Sequence, residues 1–99
     1  MAAVCGLACA APRSGVPVGE LWSEHCASCH GANGHGVPAR RGLEPRSDLR
    51  RSEMIAAGDR GLVFQRIAYG YATMPGFAHK LERGDIELLV EFAAELAER

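Results

Sequence analysis

Five consecutive residues, Cys26-Ala27-Ser28-Cys29-His30, constrain this chain more than any other feature. Val18, Leu21, Trp22, Cys26 and Cys29 recur at steps of three and four. That spacing predicts an amphipathic helix from Val18 through Cys29 with both thiols on its apolar side and Glu20, Ser23 and Glu24 facing water. C-x-x-C-H is the attachment pattern of haem c: the two thiols form thioethers to the vinyl groups of one porphyrin, and the next residue brings an imidazole to the iron. Two other chemistries use the same residue types. A zinc site needs four ligands, and Cys5 and Cys9 could complete it, but both sit in a stretch that reads as a cleaved segment. A thioredoxin-like pair follows a strand in a βαβ unit, and no strand pattern precedes Cys26.

With 99 residues the chain is one domain, so small that a large apolar prosthetic group would add substantially to its core. Apolar types make up 47% and charged types 23%, which suits a globular protein and not a disordered one. A net charge of −1 gives no global field for nucleic acid. Locally, Arg40, Arg41, Arg46, Arg50 and Arg51 outweigh Glu44 and Asp48, whereas the final helix is acidic; solvated faces account for both. Met1 to Ala11 is apolar and ends in Ala8-Cys9-Ala10, an A-x-A pattern. Residues 1–12 therefore read as a signal segment, lacking a basic n-region and so truncated, with periplasmic or otherwise exported localisation as the consequence. Residues 13–17 read as linker and 18–99 as the domain. Contact with a membrane is expected only if Cys9 is lipidated, because no run reaches the roughly 18 apolar residues that span a bilayer.

Beyond the first helix, Gly31 to Pro45 is rich in Gly and Pro and reads as irregular loop. Ser47 or Asp48 is expected to cap a short helix through Ala57, closed by Gly58, with Leu49, Met54 and Ile55 inward. A further helix is expected over Leu62 to Tyr69, burying Leu62, Phe64, Ile67 and Ala68. Pro75 then biases Met74 toward an extended conformation, so Tyr71 to His79 is another loop. The last helix, Gly84 to Glu98, carries Ile86, Leu89, Val90, Ala93, Leu96 and Ala97 on one stripe and Glu87, Glu91, Glu95 and Glu98 opposite. No period-two pattern occurs, so the class is all-α.

The run Gly19 to Gly31 around the C-x-x-C-H motif, the Gly-rich loop after it, Thr73-Met74-Pro75-Gly76-Phe77 and the helix containing Asp85 to Phe92 resemble class I cytochrome c, from Val18 to Leu96. The resemblance implies a small cytochrome c-like fold of about four helices wrapped around one covalently attached haem c. It makes Cys26 and Cys29 the attachment sites, His30 the proximal iron ligand and Met74 the distal one. It also implies that Trp22 packs against Phe92 and that a proline carbonyl, best matched by Pro38, accepts a hydrogen bond from the proximal imidazole. Glu82 departs from the Ser or Thr that often caps the last helix, and the Arg-rich segment 40–51 has no residue-by-residue match. His25, His35, His79 and Met54 are the other candidates for the distal position. Arg46, Arg50, Tyr69 and Tyr71 are candidates for bonds to the haem propionates, and Lys80 for a rim charge that meets a partner.

With His and Met both on the iron no open coordination site remains. The resemblance therefore implies an electron carrier and not an enzyme, with redox proteins (a dehydrogenase, oxidase or reductase) as partners and no nucleic acid or small-molecule substrate. A His/Met pair implies a comparatively high reduction potential. A free periplasmic shuttle, a dedicated haem subunit of one dehydrogenase or oxidase, and a haem-based gas sensor are the three functional readings.

Overall fold

A computed structural model describes residues 11–99. Cys5, Cys9 and nearly all of the expected signal segment lie outside the described residues. The described chain contains six α-helical segments: α1 (Val18–His25), α2 (Ala27–His30), α3 (Pro38–Leu43), α4 (Glu53–Ala56), α5 (Arg60–Tyr69) and α6 (Arg83–Ala97). Two 3-10 turns, Pro45–Ser47 and Leu49–Arg51, lie between α3 and α4. The described residues contain no strand, only an isolated bridge between Tyr71 and Met74. None of their helices is long and apolar enough to cross a membrane.

All four expected helical stretches are present, two of them broken. The first breaks at Cys26, whose φ of −119° interrupts the α geometry between α1 and α2. The second divides at Ser52: Asp48 caps the turn Leu49–Arg51 by accepting from Arg50 N, and Ser52 caps α4 by accepting from Ile55 N. The expected irregular loop Gly31 to Pro45 is corrected in part. It contains α3, which Pro38 opens from a first-turn position where its missing N–H costs nothing.

The core forms where α1 crosses α6. Leu21, Trp22 and Cys26 meet Ile86, Leu89, Val90, Ala93 and Leu96, with Val63, Ile67 and Ala68 of α5 closing one side. Full burial of each large aliphatic side chain contributes about 1.5–3 kcal/mol. Trp22 and Phe92 rings lie 5.5 Å apart and tilted by 45°, as the resemblance implied. On α5 the buried residue is Val63 and not Leu62, which is exposed. Asp59 caps this helix by accepting from Leu62 N, and the resulting register turns Val63 and Ile67 inward together.

The start of α6 needs no Ser or Thr. Asp85 reaches back from the first turn to accept Glu82 N–H at 3.3 Å. The same carboxylate, 1% exposed, also accepts from Ser14 N at 3.1 Å and Ser14 Oγ at 3.0 Å. Gly84 N donates to Pro12 O, and a Cβ at Gly84 would come within 2.5 Å of that oxygen, so this position admits only glycine.

Candidate haem site

The short helix α2 carries Cys29 and His30, and Cys26 stands just before it. Both thiols are free, Cys26 buried and Cys29 half-buried. Burial, with a smaller contribution from Cys29, pushes the Cys26 thiol up to about 12, so it stays a neutral thiol. His30 Nδ1 lies 2.8 Å from Ser47 O. A carbonyl can only accept, so Nδ1 carries the proton and the lone pair is on Nε2. Burial lowers the His30 pKa from 6.5, Arg40 adds to that, and the bond to Ser47 opposes it. The result is a neutral imidazole with its acceptor nitrogen uncommitted.

This acceptor is a correction to the sequence reading, which put it on Pro38. The Gly-rich loop folds back on itself: Gly36 N donates to His30 O, Val37 N to Cys29 O and Leu49 N to Gly34 O. Pro38 then starts α3, and the next segment brings the Ser47 carbonyl to the ring. Trp22 supports the same side. Its ring centroid is 5.9 Å from that of His30, and its Nε1 donates to Gly31 O at 2.9 Å.

Met74 is half-buried against the core in a tight turn, with Tyr71 N donating to Met74 O and Met74 N to Tyr71 O. The chain next docks on the end of α5: Phe77 N and Ala78 N donate to Ile67 O and Ala68 O, carbonyls without a partner inside the helix. Gly70 and Gly76 permit this approach. A Cβ on Gly70 would stand 2.5 Å from Met74 O, and one on Gly76 would stand 2.6 Å from the Tyr69 carbonyl carbon. Thr73 Oγ1 reaches Glu44 Oε1 at 3.3 Å, linking this turn to the end of α3.

The other distal candidates have different surroundings. His25 stacks on Phe77 at 5.4 Å and meets Glu24. His79 is exposed. His35 lies with the proximal loops near Asp48, its Nε2 buried without a hydrogen bond. Met54 is partly buried against the core. Among the propionate candidates, Arg46 pairs with Glu53, Arg50 pairs with Asp48, and Tyr71 lies under the Arg66 guanidinium. Lys80 lies over the Phe77 ring. A cleft of about 450 Å³ between the Leu49–Arg51 turn, α4 and the end of α6 touches none of the four candidate residues. No group of three or more metal-ligating side chains occurs among the described residues; Cys5 and Cys9, on which the zinc reading depends, lie outside them.

The donor set fits a c-type haem: two unpaired thiols one helical turn apart, then a neutral imidazole with a free Nε2. Residues 16–92 match the family described as cytochrome C oxidase, cbb3-type, subunit III. The chain belongs to this family. It is therefore a haem protein with covalently bound haem c and iron, and its domain is one of electron transfer. Its partners are redox proteins, and proteins of this kind are typically exported. Among solved structures, the "KustC0563 c-type cytochrome" matches with a TM-score of 0.70 at 24% identity, covering 82% of this chain and 98% of the other. At that identity the likeness supports the fold, a c-type cytochrome helical bundle. No curated protein matches the chain.

Proposed function

We propose that this cytochrome is a single-haem electron carrier of the periplasm, with haem c bound through Cys26 and Cys29 and the iron held between His30 and Met74. The observation that carries the reading is the His30–Ser47 bond. It fixes the tautomer, leaves Nε2 as the ligating atom and raises its basicity. Haem c supplies an iron that gains and loses one electron. The protein's own residues would do the rest: Cys26 and Cys29 would tether the haem, and His30 and Met74 would hold its iron. Trp22 and the core exclude water on the proximal side. With the iron held by both His30 and Met74, no substrate would reach it, and the protein would serve as a carrier and not an enzyme.

A second reading, a dedicated haem subunit of a larger enzyme, is favoured by the family description, which names an oxidase subunit. Co-purification separates the two: a free carrier leaves a mild membrane extract alone, a subunit leaves it with its enzyme.

The ligand assignment is tested in protein matured with its haem. Cys26→Ser with Cys29→Ser should abolish haem staining after denaturing electrophoresis. Met74→Ala should keep the stain, admit carbon monoxide to the ferrous iron, lower the potential and remove the sulfur-to-iron charge-transfer band. Met54→Leu, a nearly volume-conserving change, should leave all of these as they are. Loss of the band in the Met54 variant with retention in Met74→Ala moves the distal ligand to Met54.

A further inference from the structure

The Arg-rich segment 40–51 has no residue-by-residue counterpart in the resemblance to class I cytochrome c, yet it supplies the acceptor for His30. Ser47 O and Asp48 N belong to one peptide plane. On one edge Ser47 O accepts from His30 Nδ1 at 2.8 Å, and on the other Asp48 N donates to Pro45 O at 3.2 Å. The side chain that follows is bound on three sides. Asp48 Oδ1 accepts from Arg50 N and Arg50 Nε, both at 3.0 Å, and Oδ2 accepts from Arg50 Nη2 at 2.8 Å. This is the two-pronged guanidinium–carboxylate geometry, closed over a two-residue span with the carboxylate 8% exposed. Leu49 N, one residue on, is tied to Gly34 O at 2.8 Å in the loop leaving His30.

We propose that Asp48, clamped by Arg50, is a positioning residue for the proximal ligand. By fixing the 47–48 peptide plane it holds the Ser47 carbonyl on His30 Nδ1 and so sets the reduction potential. The proposal rests on His30 as an iron ligand. A firmly held acceptor makes the imidazole more basic, and a more basic ligand favours the ferric ion. Releasing the clamp therefore raises the potential.

The test uses haem-loaded protein and three variants. Asp48→Ala removes the cap and the clamp; Asp48→Asn keeps an oxygen for Arg50 N but loses the ion pair; Arg50→Lys keeps the charge but loses the fork. Asp48→Ala should shift the ferric–ferrous equilibrium about five-fold toward ferrous, which is roughly 40 mV at 59 mV per decade. The other two should move it the same way by less. The ferrous His30 Nδ1–H proton resonance should move upfield in the same order. Ser52→Ala, which removes the neighbouring cap on α4, should cost stability and leave potential and resonance in place. Unchanged potential and resonance in all three variants overturn the proposal, as does a Ser52→Ala shift as large as that of Asp48→Ala. A wild-type protein whose iron is not bound by His30 overturns the ligand reading instead, and is recognised first by the absence of a hyperfine- or ring-current-shifted His30 signal.

Discussion

The regions around His30 and around Met74, the two proposed iron ligands, are held by different means. Around His30, side chains reach backbone in addition to the loop's own backbone bonds: His30 donates to Ser47 O, Trp22 donates to Gly31 O, and Asp48 accepts from Arg50 N. Around Met74, apart from the Thr73–Glu44 bond, backbone bonds backbone: Phe77 and Ala78 dock on the end of α5, and residues 71–74 close on themselves. The proposed ligand roles would account for the contrast. An imidazole has two nitrogens, and one must be occupied before the other is defined as the donor. A thioether has a single sulfur on a flexible chain, so positioning its backbone is enough.

The largest effect on this contrast is expected at Trp22. The side chain is 4% exposed, packs on both Phe92 and His30, and satisfies a buried carbonyl. Trp22→Ala should cost about 3–5 kcal/mol in denaturant unfolding of the haem-loaded protein. Trp22→Phe keeps most of the ring but leaves Gly31 O without its donor, at about 1–3 kcal/mol. Both should loosen the proximal side while the Met74 charge-transfer band survives. Loss of the band in Trp22→Phe would mean that the two sides are not independently held.

How legible each side was in the sequence follows from the same difference. The C-x-x-C-H motif and the acidic and apolar faces of α6 are local or periodic, and periodicity survives in a linear string; the Trp22–Phe92 contact, seventy residues apart, came from the resemblance to class I cytochrome c. The acceptor for His30 is not periodic. It depends on how Gly34 and Gly36, both at positive φ, fold the loop, and on α3 standing between Pro38 and Ser47. Helix α3 itself was hidden by Gly42 and by neighbours that read as loop; its one signal was Pro38 at a helix-opening position. On α5, Leu62 and Val63 are adjacent and both apolar; Ile67 stands four residues past Val63, whereas Gln65 and Arg66 stand three and four past Leu62, so the helical spacing that turns Val63 inward was present in the sequence. Asp48 was recognised as a cap but not as the partner of Arg50, because the segment reads as the start of a helix, on which residues two apart do not face each other.

Acid should act on the proximal side through Asp48. The hydrogen bond from the Arg50 side chain is the main reason its carboxyl is held at about 2, below an ordinary value of 3.8. A depressed native pKa contributes stability that is complete above the unfolded value and is lost as pH falls through the native one. The contribution should therefore fade between about pH 4 and about pH 2. Unfolding measured across that window should show wild type losing much of its advantage over Asp48→Ala as pH falls toward about 2. A gap that stays constant with pH would mean that the clamp does not depend on the charge.

The smallest effect belongs to the distal turn, where Ala72 has a φ of +52°. Among the described residues it alone is a non-glycine in the left-handed region, two positions before Met74. A Cβ in that region costs about 1–2 kcal/mol, and strain of this kind persists where the surroundings over-determine the backbone. Here they do: both Tyr71–Met74 bonds close the turn, and Thr73 is tied to Glu44. Ala72→Gly removes the clash, but the freer unfolded chain takes back about 0.4–1 kcal/mol. The net gain should be about 0.5 kcal/mol, read as a slightly higher denaturation midpoint with the charge-transfer band in place. Such a gain, beside a loss several times larger at Trp22, would show that the distal turn holds its methionine against local strain while the proximal side holds its histidine by packing and hydrogen bonds. A loss of stability in Ala72→Gly would mean instead that the alanine methyl makes a packing contact worth more than the strain it causes.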